Sequence, residues 1–163
     1  MYTKYMKYWL MKSEPNEFSI DDLQRTKSAQ WDGVRNYQVR NMLRDEMRKG
    51  DLALFYHSNA GKETGVVGIM EITSDSYTDP TQFDISSQYF DPNSTQHKPR
   101  WLSINVTFQK KFSTPLLLRQ LKNITIMSSS PVIRKGNRLS IIPLTEEQYL
   151  QILVLTARLT EVY

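Results

Sequence analysis

Four short clusters in this sequence of 163 residues put reactive or ligand-binding side chains beside a residue that turns the chain. The first is Lys12-Ser13-Glu14-Pro15, an ammonium, a hydroxyl and a carboxylate in a row. An apolar run, Tyr8 to Met11, precedes it, and Pro15 cannot continue a strand ladder, so the polar groups fall at a strand end. The second is Trp31-Asp32-Gly33-Val34-Arg35-Asn36-Tyr37: an aromatic ring, a glycine turn and a helix start. Backbone N–H groups at a helix start favour anions, and Arg35 and Asn36 add donors for phosphate or carbonyl oxygens. The third is Phe55-Tyr56-His57-Ser58-Asn59, at the end of another apolar run. Alternate strand residues share a face, so Tyr56 and Ser58 point one way and Phe55 and His57 the other, and one of these faces lines a groove. The fourth is basic. Arg40, Arg44 and Arg48 form one ridge of a helix; Arg134, Lys135 and Arg138 bracket Gly136; Lys98 and Arg100 flank Pro99 before Trp101. Cations interleaved with Trp and Tyr suit a phosphate backbone with stacked bases.

Each cluster also has a plainer reading. Lys12 to Glu14 can be a solvated strand terminus. Trp31 can plug the core, with Asn36 as a helix N-cap. A lone His is commonly a hydrogen-bonded structural residue, and an arginine ridge is commonly a solvated helix face.

Other chemistry is poorly represented. The chain has no Cys and only two His, His57 and His97, which leaves no disulfide, thiolate metal site or cysteine nucleophile and makes a histidine-rich metal site unsupported. No P-loop, GxGxxG, HExxH or GxSxG motif occurs. His57 and Ser58 are adjacent, so in a strand they point apart and make a poor base and nucleophile. Glu14 and Asp32 show no spacing of a catalytic pair. We therefore expect no catalytic residues, no metal and no cofactor. The 21 Lys+Arg against 17 Asp+Glu give a net charge of +4, which permits an anionic partner without requiring one. Apolar runs such as Ala53 to Tyr56 and Ile152 to Leu155 are too short to cross a membrane. Met1 to Lys12 lacks a signal-peptide core, so the expectation is an intracellular, cytoplasmic protein; the sequence does not give the oligomeric state, and a monomer is the default expectation.

The elements that must position these clusters can be read from periodicity and caps. Strands are expected at Tyr8–Met11, Asp51–His57, Gly65–Ile72, Trp101–Phe112 and Leu139–Ile142, the last ending before Pro143. Helices are expected from Ser19 through Leu23, with Phe18 and Leu23 as a hydrophobic staple, and from Asn36 to Arg48, ended by Gly50. Two more start at Thr114-Pro115, running to Leu121, and at the capping box Thr145 to Gln148, running to about Arg158. Asp75 to Pro99 reads as a long ordered excursion pinned by Tyr77, Phe83, Tyr89 and Phe90. The apolar tail Ile152 to Leu159 can pack at home or against a partner. The order β-α-α-β-β-loop-β-α-β-α argues for one α+β domain with a mixed, curved, barrel-like sheet, and against a doubly wound fold.

Several of these segments together resemble the EVE domain family. The resemblance runs through Tyr8-Trp9-Leu10-Met11-Lys12-Ser13-Glu14-Pro15, then Phe18 to Leu23, Trp31 to Asn41, Phe55 to Asn59 and Gly65 to Gly68. It continues in Tyr77-Thr78-Asp79-Pro80, Phe83-Asp84, Tyr89 to Pro92, Pro99-Arg100-Trp101 and Arg138 to Ile141. It spans about residues 8–149 of a single domain over 1–163, with 1–7 as an N-terminal extension. The segment Ile124 to Ser130 departs from the family pattern, which carries Leu and small residues before the Arg, at what we expect to be a fourth wall of the pocket.

The resemblance implies a PUA-like pseudo-barrel of five or six short mixed strands with peripheral helices, as in YTH and ASCH domains. It implies a nucleic-acid-binding module, for DNA or RNA, that takes a modified, methylated base into an aromatic pocket. Lys12, Ser13 and Glu14 match the pocket rim. Trp31, Val34, Asn36 and Tyr37 match one wall, and Tyr56, His57 and Ser58 the strand end opposite, with Trp101 nearby. Arg35, Arg40, Arg44, Arg100 and Arg138 are expected at phosphates. The alternative is a small enzyme or metabolite binder in the same pocket, hydrolysing RNA or modified nucleosides as ASCH relatives are thought to do, with Lys12, Glu14 and His57 as acid and base groups.

Overall fold

The computed structural model describes residues 5–161, so residues 1–4 of the expected N-terminal extension lie outside the described residues. In chain order the elements are β1 (Tyr8–Ser13), α1 (Ile20–Thr26), β2 (Ser28–Trp31), α2 (Tyr37–Asp45), β3 (Leu52–His57), β4 (Gly65–Ile72), β5 (Tyr77–Thr78), β6 (Leu102–Leu117), α3 (Leu118–Leu121), β7 (Ile141–Leu144) and α4 (Glu146–Glu161). This is the expected α+β order with two small strands, β2 and β5, added. The sheet has seven strands rather than five or six, in the order β2-β6-β4-β3-β1-β7 with β5 also on β6, and it is not closed. β1 and β3 are parallel, and the remaining pairs are antiparallel.

β1 as far as Met11 and β3 as far as Tyr56 are apolar because both of their faces are covered. Trp9, Met11 and Phe55 face a core shared with α1 and α2, while Leu10, Leu54 and Tyr56 face a second core beneath α3 and α4. The buried Asp51 carboxylate ties the start of β3 to its surroundings, accepting from Trp9 Nε1–H at 3.0 Å and from the Arg48 N–H at 2.9 Å. Tyr149 and Ile152 of α4 sit in the second core, and Tyr149 stacks on Tyr8 at 4.4 Å, so the apolar tail packs at home. The divergent Ile124 to Ser130 segment packs there too, with Met127 fully buried, and forms no wall of the cavity described below.

The caps act as their sequences dictate. Ser19 and Asp22 bond each other's backbone N–H groups at the start of α1, which runs on to Thr26. Asn36 Oδ1 accepts from the Val39 N–H at 3.1 Å at the start of α2. Thr145 and Gln148 do the same reciprocally for α4.

Three of the boundaries that differ from expectation turn on a Gly or a Pro. α2 stops at Asp45, short of Arg48, whose guanidinium instead donates to the carbonyls of Arg44, Asp45 and Met47. Gly50, at φ +99°, therefore turns the chain into β3 and does not end the helix. Thr114-Pro115 starts no helix. β6 runs through both to Leu117, because its register jumps from Val66↔Leu116 to Gly68↔Lys111, a bulge that leaves Pro115 outside the ladder. Pro143 lies inside β7, which is tolerated because β7 is an edge strand and the missing N–H faces no neighbour.

Candidate nucleic-acid interface

A cavity of about 680 Å³ opens where several strand ends converge, within the usual range of about 300–1,000 Å³ for ligand sites. The parallel pairing sets Ser13 of β1 opposite His57 of β3, so Lys12, Ser13 and Glu14 emerge beside Ser58 and Asn59. The segment entering β7 runs antiparallel to β1 and brings Arg138, Leu139 and Ser140 to the same point, held by the Lys12 N–H on the Ser140 carbonyl at 2.8 Å. Gln30 and Trp31 come from β2, at the opposite end of the sheet from β7. Both ends can line one cavity only because the sheet curves round, which is the barrel-like feature that survives without closure.

The floor is aromatic. Trp31 is 7% exposed and meets Phe18 and Phe55 edge-on at 6.4 and 5.4 Å. Val34 and Leu139 complete the apolar lining, so Trp31 is at once a core plug and a cavity surface. The polar rim carries both charges. Glu14 accepts from Asn59 Nδ2 with one carboxylate oxygen and keeps the other. Both oxygens of Glu17 are occupied, by Gln88 Nε2 and the Tyr89 hydroxyl. Asp32 is half-buried, and burial together with the neighbouring Asp79 carboxylate holds it above the usual range. Burial pushes the Lys12 ammonium below its usual value. The Ser13 hydroxyl donates to the Phe18 carbonyl at 2.6 Å and retains acceptor capacity.

Beyond one wall lies a chain of stacked cations and rings. Tyr89 rests on Gly33, where a Cβ would come within 2.6 Å of the ring. Arg35 lies 5.6 Å from the Tyr89 centroid and 5.4 Å from that of Trp101. Trp101 stacks on Tyr37 at 4.8 Å, and Arg40 lies 4.8 Å from the Tyr37 centroid. Arg35 donates to the Tyr89, Val34 and Thr81 oxygens and to Asp79, which is fully buried. Asp79 also takes the Gly33 N–H at 2.9 Å and the Thr81 N–H at 2.7 Å. Buried Gln82 bonds the carbonyls of Asp79 and Trp101 and the N–H groups of Arg100 and Trp101. The long excursion is pinned by Asp79, Gln82 and Arg35 together with Tyr77 and Tyr89, whose hydroxyls bond Asn105 and Glu17, while Phe90 is 37% exposed.

Of the residues the sequence points to, Lys12, Ser13, Glu14, Trp31, Val34, Ser58 and Arg138 meet at the cavity. The others do not. Asn36 is the α2 cap, Tyr37 and Trp101 belong to the stacked chain, and Trp101 Nε1–H donates to Asp91 at 2.7 Å. Tyr56 is 3% exposed in the second core, where burial pushes its hydroxyl up to about 12. His57 Nε2 accepts the Ile20 N–H at 3.1 Å and is a structural acceptor. Among the arginines expected at phosphates, Arg35 has no donor left over, Arg40 donates to Asn41 and the Arg100 carbonyl, and Arg44 is bidentate on Asp45. The Arg100 guanidinium reaches the Tyr37 hydroxyl at 3.5 Å, beside the stacked chain.

Gln30, Asp32, Tyr89 and Asn137 also line the cavity, although sequence reasoning does not assign them to it. Gln30 was hidden with β2, whose four residues bury only Trp31. Asp32 and Tyr89 stood inside motifs that matched the family and carried the available signal.

Among the described residues no helix is long and apolar enough to cross a membrane. The family model described as the EVE domain matches residues 7–155. Mouse thymocyte nuclear protein 1 is 41% identical over 160 residues, covering 87% of this chain and 70% of the relative. A crystal structure of a Pseudomonas syringae protein superposes with a TM-score of 0.88 at 47% identity, covering 91% of this chain and 99% of that one. Human thymocyte nuclear protein 1, crystallised in complex with DNA containing 5-methylcytosine, superposes with a TM-score of 0.82 at 38% identity, covering 92% and 97%. With its curved mixed sheet, its strand-end cavity and a family match over nearly its whole length, this chain belongs to the EVE domain family.

Proposed function

We propose that this protein binds a nucleic acid inside the cell and takes one modified base, 5-methylcytosine or a base of similar chemistry, into the strand-end cavity. The observation that carries this reading is the cavity itself: aromatic rings, carboxylates and cations line one cavity of about 680 Å³. The likeness to a human protein bound to 5-methylcytosine DNA supports it.

The base must leave its stack to enter. Trp31 and Phe18 then offer ring surface, and stacking contributes about 1–3 kcal/mol per base. The free oxygen of Glu14 and the Asp32 carboxyl accept from an exocyclic amino group, while Lys12 donates to a base carbonyl; Ser13 and Ser58 line the same rim. A methyl group against Val34 and Leu139 adds about 0.8 kcal/mol, a several-fold preference. The enzyme alternative needs His57 as an acid or base, and His57 is engaged as an acceptor away from the cavity. We therefore read the module as a binder.

The test is a titration of matched oligonucleotides, with cytosine or 5-methylcytosine, at one salt concentration. We expect several-fold tighter binding of the methylated strand. Asp32→Asn should weaken binding of both about tenfold by replacing a charged acceptor with a weaker neutral one, and Trp31→Phe, which keeps the core filled, should reduce stacking. Binding unchanged in both variants rules out this cavity as the base site.

A further inference from the structure

The phosphate contacts expected along α2 have few donors to make them, whereas the segment 134–138 at the cavity mouth keeps its own. Arg44 gives its Nε and Nη2 to Asp45, and Arg48 donates to three backbone carbonyls. By contrast, Arg138 lines the cavity and is exposed, and neither it nor exposed Lys135 forms a hydrogen bond or ion pair among the described residues. Arg134 has one long hydrogen bond, to the Ser129 carbonyl at 3.5 Å. The backbone here is fixed while its cations are not: the Asn137 N–H bonds the Arg134 carbonyl, and Gly136, at φ +78°, has open space where a Cβ would stand. A strand can therefore approach the backbone closely at Gly136.

We infer that residues 134–138 form the phosphate-binding site of this module, with Arg138 and Lys135 each contacting a phosphate of the strand whose base occupies the cavity, and that the α2 ridge contacts none. This rests on the base-binding reading above. It follows from which cations at the cavity mouth the protein leaves without partners. Glu14, Asp32, Lys12 and Arg138 all line the cavity, and Lys135 stands three residues before Arg138. A nucleotide carries amino donors at its base edge and negative charge at its phosphate. An orientation with the base edge toward Asp32 and the phosphate toward Arg138 satisfies both.

The experiment is the salt dependence of binding to a single-stranded oligonucleotide carrying 5-methylcytosine. Removing one cation from a phosphate should lower the slope of log K against log salt by about 0.7 for a single strand. The double variant Arg138→Gln/Lys135→Gln should therefore lower it by about 1.4, with the methylated-over-unmethylated ratio unchanged. Arg44→Gln should leave the slope as it is. All three side chains are exposed, so folding is not at stake. A double variant with the wild-type slope, or an Arg44→Gln slope that falls equally, overturns the assignment to 134–138 while leaving the cavity reading intact. Wild-type protein that fails to bind at any salt overturns the base-binding reading itself.

Discussion

Arginines stand near aromatic rings both in the chain from Tyr89 to Arg40 and at the cavity, and the two regions differ in whether their polar atoms are occupied. In the chain, the Arg35 donors all end on protein oxygens and Asp79 is fully buried beneath them. At the cavity, Arg138, the second oxygen of Glu14 and the Asp32 carboxyl face open space. Occupied polar atoms rigidify a loop, while unoccupied ones at a cavity can be filled by a ligand. The comparison teaches that residue type alone does not separate a binding cation from a structural one; its partners do. Tyr89 belongs to both regions, lining the cavity on one side and meeting Arg35 on the other.

The largest effect should come from breaking the occupied region. Asp79→Ala strips Arg35, 22% exposed, of its buried counter-charge and leaves the Gly33 and Thr81 N–H groups without their acceptor. Removing one partner of a buried pair costs about 3–5 kcal/mol, and partial exposure of Arg35 places this case near about 3. Urea denaturation should show that loss, and Arg138→Gln, at the open cavity, should show none. Equal stability of the two variants would erase the distinction.

Gly33→Ala sharpens the comparison because Gly33 sits at the seam. At φ +80° an alanine is strained, and its Cβ would meet the Tyr89 ring at 2.6 Å. We expect a loss of about 2 kcal/mol. The ring must shift, so oligonucleotide affinity should fall with stability. Unchanged affinity would show that Tyr89 is no part of the working wall.

The two regions were unequally legible in the sequence. The polar end of β1 and the Trp31 loop are local features: an apolar run, a Pro, a Gly and a cap within a few residues. The stacked chain is not local. Arg35 meets Asp79 across 44 residues and Tyr89 across 54, and no periodicity encodes such a meeting. The α2 ridge misleads because spacing shows where guanidinium groups point and not what they bond, although Asp45 beside Arg44 was the available hint. The two proline boundaries failed for one reason: a bulge at Pro115 and an edge position at Pro143 remove the need for the missing N–H, and both depend on neighbours far along the chain.

Asp32→Asn tests the cost of leaving a cavity group unoccupied. Burial and Asp79 raise the Asp32 pKa in the folded state above its ordinary 3.8. Below 3.8 the carboxyl is protonated in folded and unfolded chains alike and there is no penalty. As pH rises through the folded value, the charged form disfavours folding. Asp32→Asn should therefore raise the melting temperature slightly at pH 7, with the gain vanishing by about pH 3, while base binding weakens. A melting temperature lowered at pH 7 would mean the carboxylate is a structural acceptor like Asp79.

The smallest expected effect belongs to His57, which has the residue type of an active-site base and the bonding of the occupied region. Its Nε2 accepts the Ile20 N–H, so the folded state holds it neutral; burial lowers its pKa below 6.5, with Lys111 of β6 adding to this and Asp21 of α1 opposing it. A lowered folded pKa means that the unfolded chain binds the proton more readily. The stabilisation is complete above about pH 6.5 and is lost as pH falls toward the folded value. Asn at this position offers an acceptor that does not titrate, so His57→Asn should flatten the fall in melting temperature between about pH 7 and pH 5 and leave oligonucleotide affinity at pH 7 within about twofold. A large loss of affinity instead would move His57 from the occupied region to the open one, and would restore the acid–base reading of the cavity that its bond to Ile20 now argues against.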